Sequence, residues 1–305
     1  MKKNLPNFLV KQLKNNQISI FLFHGVFKRN NFLIRNYTNK HIHENVFEKC
    51  IDNLKKNANP LSMHDVLQIY EKKEKIKGKN FVITFDDGFE NNLSVAYPIM
   101  RDHKIPMMTY LTTKFIELNE LSWIDKIEHA VELTKKKEIY LKNKIFKINT
   151  IENKINFLDH IRKEYKKNSK IDLYEFAKEI LNKIEIENVT NLKNQLDLKI
   201  NWSQVRKLNR DKYITFGGHG HTHKILSFLN TSDLQNEIKT CKKYLSSRGN
   251  FSTSHFSYPE GLKYCYSNKV IKMLKKFKFK CSPTAIHGSN DQKENLFNLK
   301  RIMVA

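Results

Sequence analysis

The chain has 305 residues, 40% hydrophobic and 11% aromatic, with nine Gly and six Pro. That composition excludes wholesale disorder and a collagen-like or low-complexity chain, and no apolar run reaches the roughly 18 residues that a bilayer span needs. The formal charge of +24, from 55 Lys plus Arg against 31 Asp plus Glu, admits an anionic partner. The excess is nearly all lysine, however, and arginine, the better reader of phosphate, is scarce, so nucleic acid is not the expected partner. Four cysteines without CxxC spacing exclude a disulfide framework. The amino terminus, MKKNLPNFLVKQLKNNQ, lacks the apolar stretch of a signal peptide, which predicts a cytoplasmic location, with the Lys-rich surface available to the anionic inner face of the membrane.

In chain order, Ile18 to Phe23 is an apolar run ending at His24, as in a strand covered on both faces of a parallel sheet. Glu44 to Asn57 places Val46, Phe47, Cys50, Ile51 and Leu54 at helical spacing and stops at Asn59-Pro60. Ser62, with Asp65 three residues on, caps a second helix. Phe81 to Phe85 reads as a strand running into Asp86-Asp87-Gly88, Asn91 to His103 as a weaker helix interrupted at Pro98, and Pro106 to Thr112 as a third strand.

Between about 125 and 211 this rhythm breaks. Tyr140 to Ile148 alternates around Asn143-Lys144 like a hairpin, and Lys-rich helical patterns cover Ile151 to Lys167 and Asp172 to Ile186. Residues 125–211 are therefore expected as a mostly helical insertion, with solvated charge runs, within a single domain spanning 1–305. Strands are expected again at Tyr213 to Phe216, His255 to Tyr258, Phe279 to Ser282 and Leu299 to Val304, with helices over Asp233 to Arg248 and Ser267 to Phe277. Alternating strands and helices give an α/β class. No GxGxxG follows the first strand, which favours an irregular (β/α) barrel over a dinucleotide-binding sheet. His24, Asp86, Asp87, His219, Glu260 and His287 all fall at or just past expected strand ends, where barrels carry their chemistry.

Two adjacent carboxylates in Thr84-Phe-Asp-Asp-Gly88 repel unless a cation resolves them, although Asp-Gly is also an ordinary turn pair. In Phe216-Gly-Gly-His-Gly-His-Thr-His223, three histidines among glycines point to a divalent metal. His219 and His223, four apart, can share one ion. Because Gly217, Gly218 and Gly220 disfavour a flat strand, His221 is expected outside the ligand set, and Gly220 stands where a zinc-protease HExxH needs its base. One carboxylate and two imidazoles suit Zn2+, or Co2+ or Ni2+, with positions left for water and substrate. Such an ion lowers the pKa of a water to about 7, and the spare carboxylate is then the general base; Asp86 and Asp87 fill these two roles between them.

These residues resemble the polysaccharide deacetylase family of the nodulation-factor deacetylase type. TFDDG at 84–88 is similar to its first motif, HGHTH at 219–223 to its second, H-(S/T)-x-x-H, with a departure at the second position, and FSYPEG at 256–261 to its third, R-x-P-x-G. FLFHGV, AYPIM, the W-x-D of Trp123 to Asp125 and the terminal LKRIMV also match, so the resemblance covers roughly 18–125 and 200–304. It implies Asp86 as base, Asp87, His219 and His223 as metal ligands, and the backbone amide of Glu260 as an oxyanion donor. Ser257 stands where the third motif has its arginine, and the family's last motif, Leu-x-Leu-x-His with the general acid, has no counterpart. His24 and His287 are the substitutes by position, His24 being equally in keeping with a strand-end histidine held by backbone, and Arg301 reads as a structural or a site-orienting cation of the final strand, the structural reading coming first.

The expected function is metal-dependent hydrolysis of an N-acetyl or other N-acyl group on a sugar of a polysaccharide, glycolipid or nucleotide-sugar. A carbohydrate-binding homologue that has lost turnover, and a basic nucleic-acid-binding module, are the rivals.

Overall fold

The first strand shows how this sequence builds its sheet: six of the seven residues of Gln17–Phe23 are buried, the pattern of a strand covered on both faces. The computed structural model describes residues 4–29, 32–186, 189 and 194–304. Helix α1 (Leu5–Lys11) leads into that strand, β1 (Gln17–Phe23), followed by the short pair β2 (Gly25–Phe27) and β3 (His41–His43), then α2 (Glu44–Asn57), β4 (Asn59–Pro60), α3 (Met63–Glu71) and β5 (Lys79–Phe85). A π-turn at Asn92–Ala96 precedes α4 (Tyr97–Asp102), β6 (Met107–Leu111), α5 (Thr113–Leu118) and α6 (Trp123–Leu133). The hairpin β7 (Glu138–Leu141) and β8 (Lys144–Lys147), α7 (Ile151–Tyr165), α8 (Leu173–Lys183) and α9 (Trp202–Leu208) come next. The chain ends with β9 (Ile214–Gly218), α10 (Thr231–Ser247), α11 (Asn268–Lys276) and β10 (Ile302–Met303).

Local chemistry accounts for the helices. Helix α2 buries Phe47, Cys50, Ile51 and Leu54 on one face, and Ser62 with Asp65 closes a reciprocal capping box on α3. Pro98 does not break its helix. It sits in the first turn of α4, where a missing N–H costs nothing, and the turn before it widens to π geometry.

The strands run parallel in the order β10-β1-β5-β6-β9, with β4 beside β5. Phe23 lies opposite Phe85, and Leu111 opposite Gly218, so His24, Asp86 and His219 leave the sheet at one end. Beyond β9 the ladder thins to single bridges, Gly218 with Phe256 and His255 with Cys281. Lone hydrogen bonds carry the ring on from Ser282 N to Leu296 O, from Thr284 N to Leu299 O and from Val304 N to Leu22 O. The result is an irregular α/β barrel whose expected strands at His255 to Tyr258 and Phe279 to Ser282 shrink to bridges and whose last strand keeps two residues. Pro259 and Pro283, which cannot donate to a ladder, stop the first two from running further.

Strand β9 corrects one expectation: Gly217 and Gly218 belong to it rather than bending the chain. They are small because neighbours crowd them. A Cβ on Gly217 would stand 2.7 Å from the Tyr110 ring and 3.0 Å from His255 O.

Helices α6 to α8 and the β7–β8 hairpin share a separate core in which Trp123, Ile127, Phe157, Ile161, Phe176 and Ile180 are buried, joined by Ile34 from the segment before β3. The hairpin turn is Lys142-Asn143, one residue earlier than the alternation suggested, with φ of 46° and 60°. Both left-handed residues suit a two-residue turn, and Asn takes that conformation more readily than Lys. Among the described residues no helix is long and apolar enough to cross a membrane, and all four cysteines are free and buried.

Candidate active site

Both carboxylates follow β5 directly. Asp87 (φ 71°) and Gly88 (φ 74°) form a left-handed turn there, a conformation Asp tolerates better than most residues. His219 follows β9, and the chain then turns through Gly220 at φ 79° and His223 at φ 61°. Glu237 of α10 fixes this loop: its Oε1 accepts from His221 N and Thr222 N, both at 2.7 Å, and its Oε2 accepts from Thr222 Oγ1 at 2.8 Å. His221 is turned away from the carboxylates, with Nδ1 2.9 Å from Thr113 Oγ1 and its ring 5.2 Å from that of Tyr244.

Asp87 Oδ1 lies 3.2 Å from His223 Nε2 and 3.6 Å from His219 Nε2, and one ligand atom from each residue lies within 4.8 Å of the others. Oδ1 is buried and makes no hydrogen bond, an arrangement that is costly unless a cation completes it. His219 Nδ1 donates to Ser257 O at 2.9 Å, which places the proton on Nδ1 and leaves the Nε2 lone pair facing the carboxylates. Burial also pushes the His219 imidazole down, towards the neutral form that binds metals. The donor set, its tautomer and the orphaned oxygen fit a divalent metal ion.

Each carboxylate has its own cation. Arg301 donates from Nη1 to Asp86 Oδ1 at 2.9 Å and from Nη2 to Oδ2 at 2.7 Å. Its Nη2 also reaches Ser257 Oγ at 2.9 Å, and its Nε reaches Thr284 O at 2.6 Å. Arg301 is therefore no mere structural cation of the last strand. It engages both oxygens of the expected base, Asp86, and sits against the small Ser257 side chain. Burial pushes the Asp86 carboxyl up, but Arg301, with His219 and His24, brings it below the usual range. Lys40 stands 3.0 Å from Asp87 Oδ2 and 3.1 Å from Asp125 Oδ2. Burial likewise raises Asp87, and Lys40 and His223 together bring it well below the usual carboxylate range.

Lys40, Asp86, Asp87, His219 and His223 line a cavity of about 270 Å³ together with His24, Trp123, Arg162, Lys166 and Glu260. His24 is buried to the point that its imidazole is pushed down to about 4, and its Nδ1 has no hydrogen-bond partner. Glu260 adopts φ 62°; its N–H enters no backbone hydrogen bond among the described residues, and its carboxylate pairs with Lys166 just beyond α7. His287 does not line the cavity.

The family profile for polysaccharide deacetylase matches residues 73–282. This chain belongs to the polysaccharide deacetylase family. Among solved structures, the Streptococcus pyogenes deacetylase PplD, in complex with acetate, is similar at a TM-score of 0.62 and 15% identity, over 95% of this chain and 93% of that one. IcaB from Ammonifex degensii is similar at 0.60 and 12%, over 96% and 93%, and a de-N-acetylase from Aggregatibacter actinomycetemcomitans at 0.58 and 12%, over 94% and 95%. At such identities the likeness establishes the fold. No curated protein matches the sequence.

In this polysaccharide deacetylase family member the sequence points to Asp86, Asp87, His219 and His223, and to Arg301 as a structural or site-orienting cation, but not to Lys40 or Glu237. Arg301 had a signal in the terminal LKRIMV, because it is an arginine entering a strand end in a chain whose third motif lacks one. Lys40 and Glu237 had none: each reaches the site from a distant stretch, one lysine or glutamate among many.

Proposed function

We propose that the chain hydrolyses an N-acetyl or other N-acyl amide on an amino sugar of a polysaccharide, glycolipid or nucleotide-sugar, using a divalent transition metal, Zn2+ first and Co2+ or Ni2+ as alternatives, held by Asp87, His219 and His223. The observation that carries this reading is the division of the two carboxylates: Arg301 engages both oxygens of Asp86, whereas Lys40 engages Asp87 Oδ2 and leaves Oδ1 to the two imidazoles.

The ion, when bound, supplies Lewis acidity that polarises the amide carbonyl and lowers the pKa of a water beside it to about 7. Asp86, kept ionised and oriented by Arg301, takes the proton from the attacking water. The Glu260 N–H donates to the oxygen on which negative charge develops. The proton taken by Asp86 has to reach the sugar nitrogen as the C–N bond breaks, and His24, kept neutral by burial, relays it. The products are a carboxylate and a free amine. The +24 charge further supports a place for the enzyme on the cytoplasmic side of a membrane, against anionic lipid carrying the sugar.

The test is acetate release from a panel of N-acetylated sugars and sugar nucleotides, by protein stripped of metal and reloaded with zinc, cobalt or nickel, beside Asp86→Asn. Release that requires metal and disappears in the variant supports the reading. Release that persists in Asp86→Asn or without metal contradicts it.

A further inference from the structure

The positive charge is spread unevenly along the chain. Between Ile238 and Asn290 there are ten lysines and one arginine against a single acid, Glu260, and that acid is taken by Lys166. Eleven against one leaves ten of the 24 net charges in this stretch, which holds the latter half of α10 and all of α11. The two helices lie side by side: Lys276 Nζ donates to Gln235 Oε1 at 3.2 Å, and Lys242 Nζ donates to Phe277 O. Lys239 stands four residues after Gln235 and three before Lys242, on the same side of α10. Lys269, Lys272 and Lys276 share a surface hollow with Met273. Burial, and then repulsion from Lys278, push the Lys242 ammonium down. Lys242 is half-buried and the other five lysines are exposed. None of the six forms an ion pair among the described residues, and the bonds of Lys242, Lys269 and Lys276 go to neutral oxygens. The one exposed carboxylate of α10, Asp233, is two residues before Gln235 and so turns to the opposite side, into a hollow with His221 and Lys224. Lys239 with Lys242, Lys269 with Lys272, and Lys272 with Lys276 stand three or four apart, where like charges destabilise a helix. Lys269 also falls in the first turn of α11, the end least suited to a cation. An external anion relieves both conflicts.

We infer that this face of α10 and α11 docks on an anionic lipid bilayer. Ile238 and Leu245 of α10 and Val270 and Leu274 of α11 are committed to the core, so the helices do not insert and the contact is electrostatic. Lysines without a neighbouring arginine present mobile point charges, which suit the diffuse charge of lipid headgroups better than the fixed geometry of a nucleic-acid backbone. The face also offers no exposed aromatic ring for bases to stack on. The membrane contact that the total charge suggests is thereby given a definite place on the molecule, one that does not depend on turnover at the candidate active site.

The experiment is co-sedimentation of the full chain with vesicles of phosphatidylcholine alone and of phosphatidylcholine with about one-third phosphatidylglycerol. Three proteins are compared: the native chain, a triple variant of the face (Lys239→Gln, Lys272→Gln and Lys276→Gln), and a triple variant that loses the same charge at the β7–β8 hairpin (Lys135→Gln, Lys144→Gln and Lys147→Gln). All six positions are exposed, and thermal melting checks that the fold is kept. The expected result is binding to the anionic vesicles only, weakened about fivefold per lysine and so about 100-fold in the face variant. The hairpin variant should bind nearly as the native chain does, and binding should fade as salt rises. Failure to bind anionic vesicles overturns the inference. Equal weakening in the two variants also overturns it, since the net charge and not this face then attracts the membrane. Tighter binding to a short DNA duplex than to the vesicles, lost in the face variant, overturns it in favour of nucleic acid. Each of these outcomes leaves the deacylase reading standing, and absence of turnover leaves the vesicle result unaffected.

Discussion

Arg301 and Asp86 lie 215 residues apart in sequence and meet through two parallel hydrogen bonds of 2.9 and 2.7 Å with both side chains buried. Removing one partner of such a pair leaves an uncompensated charge in the interior. Arg301→Met is expected to cost about 3–5 kcal/mol of stability and, by releasing Asp86, to lower kcat by about two orders of magnitude. Arg301→Lys, which keeps the charge without the fork, falls between. Denaturant unfolding and single-substrate kinetics check both. Adding Asp86→Asn to Arg301→Met should recover part of the lost stability, since no buried charge is then left alone.

Glu237 holds the His219–His223 loop through two backbone amides and one hydroxyl, yet it touches neither carboxylate pair. Glu237→Ala is expected to weaken zinc affinity about 10- to 100-fold, as loss of groups that orient ligands does, with the fold retained by circular dichroism. Undiminished affinity would show that the loop needs no such anchor.

Lys199 is buried, has no hydrogen-bond acceptor and lies 3.2 Å from the centre of the Phe89 ring. Burial pushes its ammonium down to about 7, against opposing pulls from Asp125 and Asp87. Because the folded pKa lies below the unfolded one, the unfolded chain binds more protons between about pH 7 and 10.5, and stability rises with pH through that window. Lys199→Met should flatten this rise and stabilise the chain at pH 7 by about 1–4 kcal/mol. Thermal melts of both proteins from pH 7 to 10 measure the difference, and an unchanged slope would contradict the account.

Gly217 has the Tyr110 ring on one side and His255 O on the other. Gly217→Ala is expected to destabilise by about 1–3 kcal/mol, the usual cost of overpacking, measured by urea unfolding.

What the sequence showed and what it hid follow from the range of the interactions. Helix α2 and the capping box of α3 were legible because their signals, apolar spacing and a Ser-x-x-Asp pair, are local. The candidate ligand residues could be proposed from the sequence because Asp86-Asp87 and His219 to His223 are contiguous and fall at strand ends. The bridges at His255 and Cys281 in place of full strands were not, since their lengths depend on neighbours brought together only by the ring. Helix α6, capped by Ser122, straddles residue 125, where the strand–helix rhythm breaks, and the hold of Asp125 on Lys40 is a contact between distant stretches of chain that no local pattern marks. The partners of the carboxylates, Arg301 and Lys40, lie far away in the chain, and only the register of β1, β5 and β10 sets Arg301 beside Asp86.

The central claim is that Asp86 and Asp87, neighbours in sequence, do different work. Calorimetric titration of the metal-free protein with Zn2+, for the native chain, Asp86→Asn and Asp87→Asn, tests it most directly. The account predicts one equivalent bound by the native chain and by Asp86→Asn with similar affinity, and binding weakened by at least about 100-fold in Asp87→Asn. Equal loss in the two variants, or tight binding retained by Asp87→Asn, would contradict it.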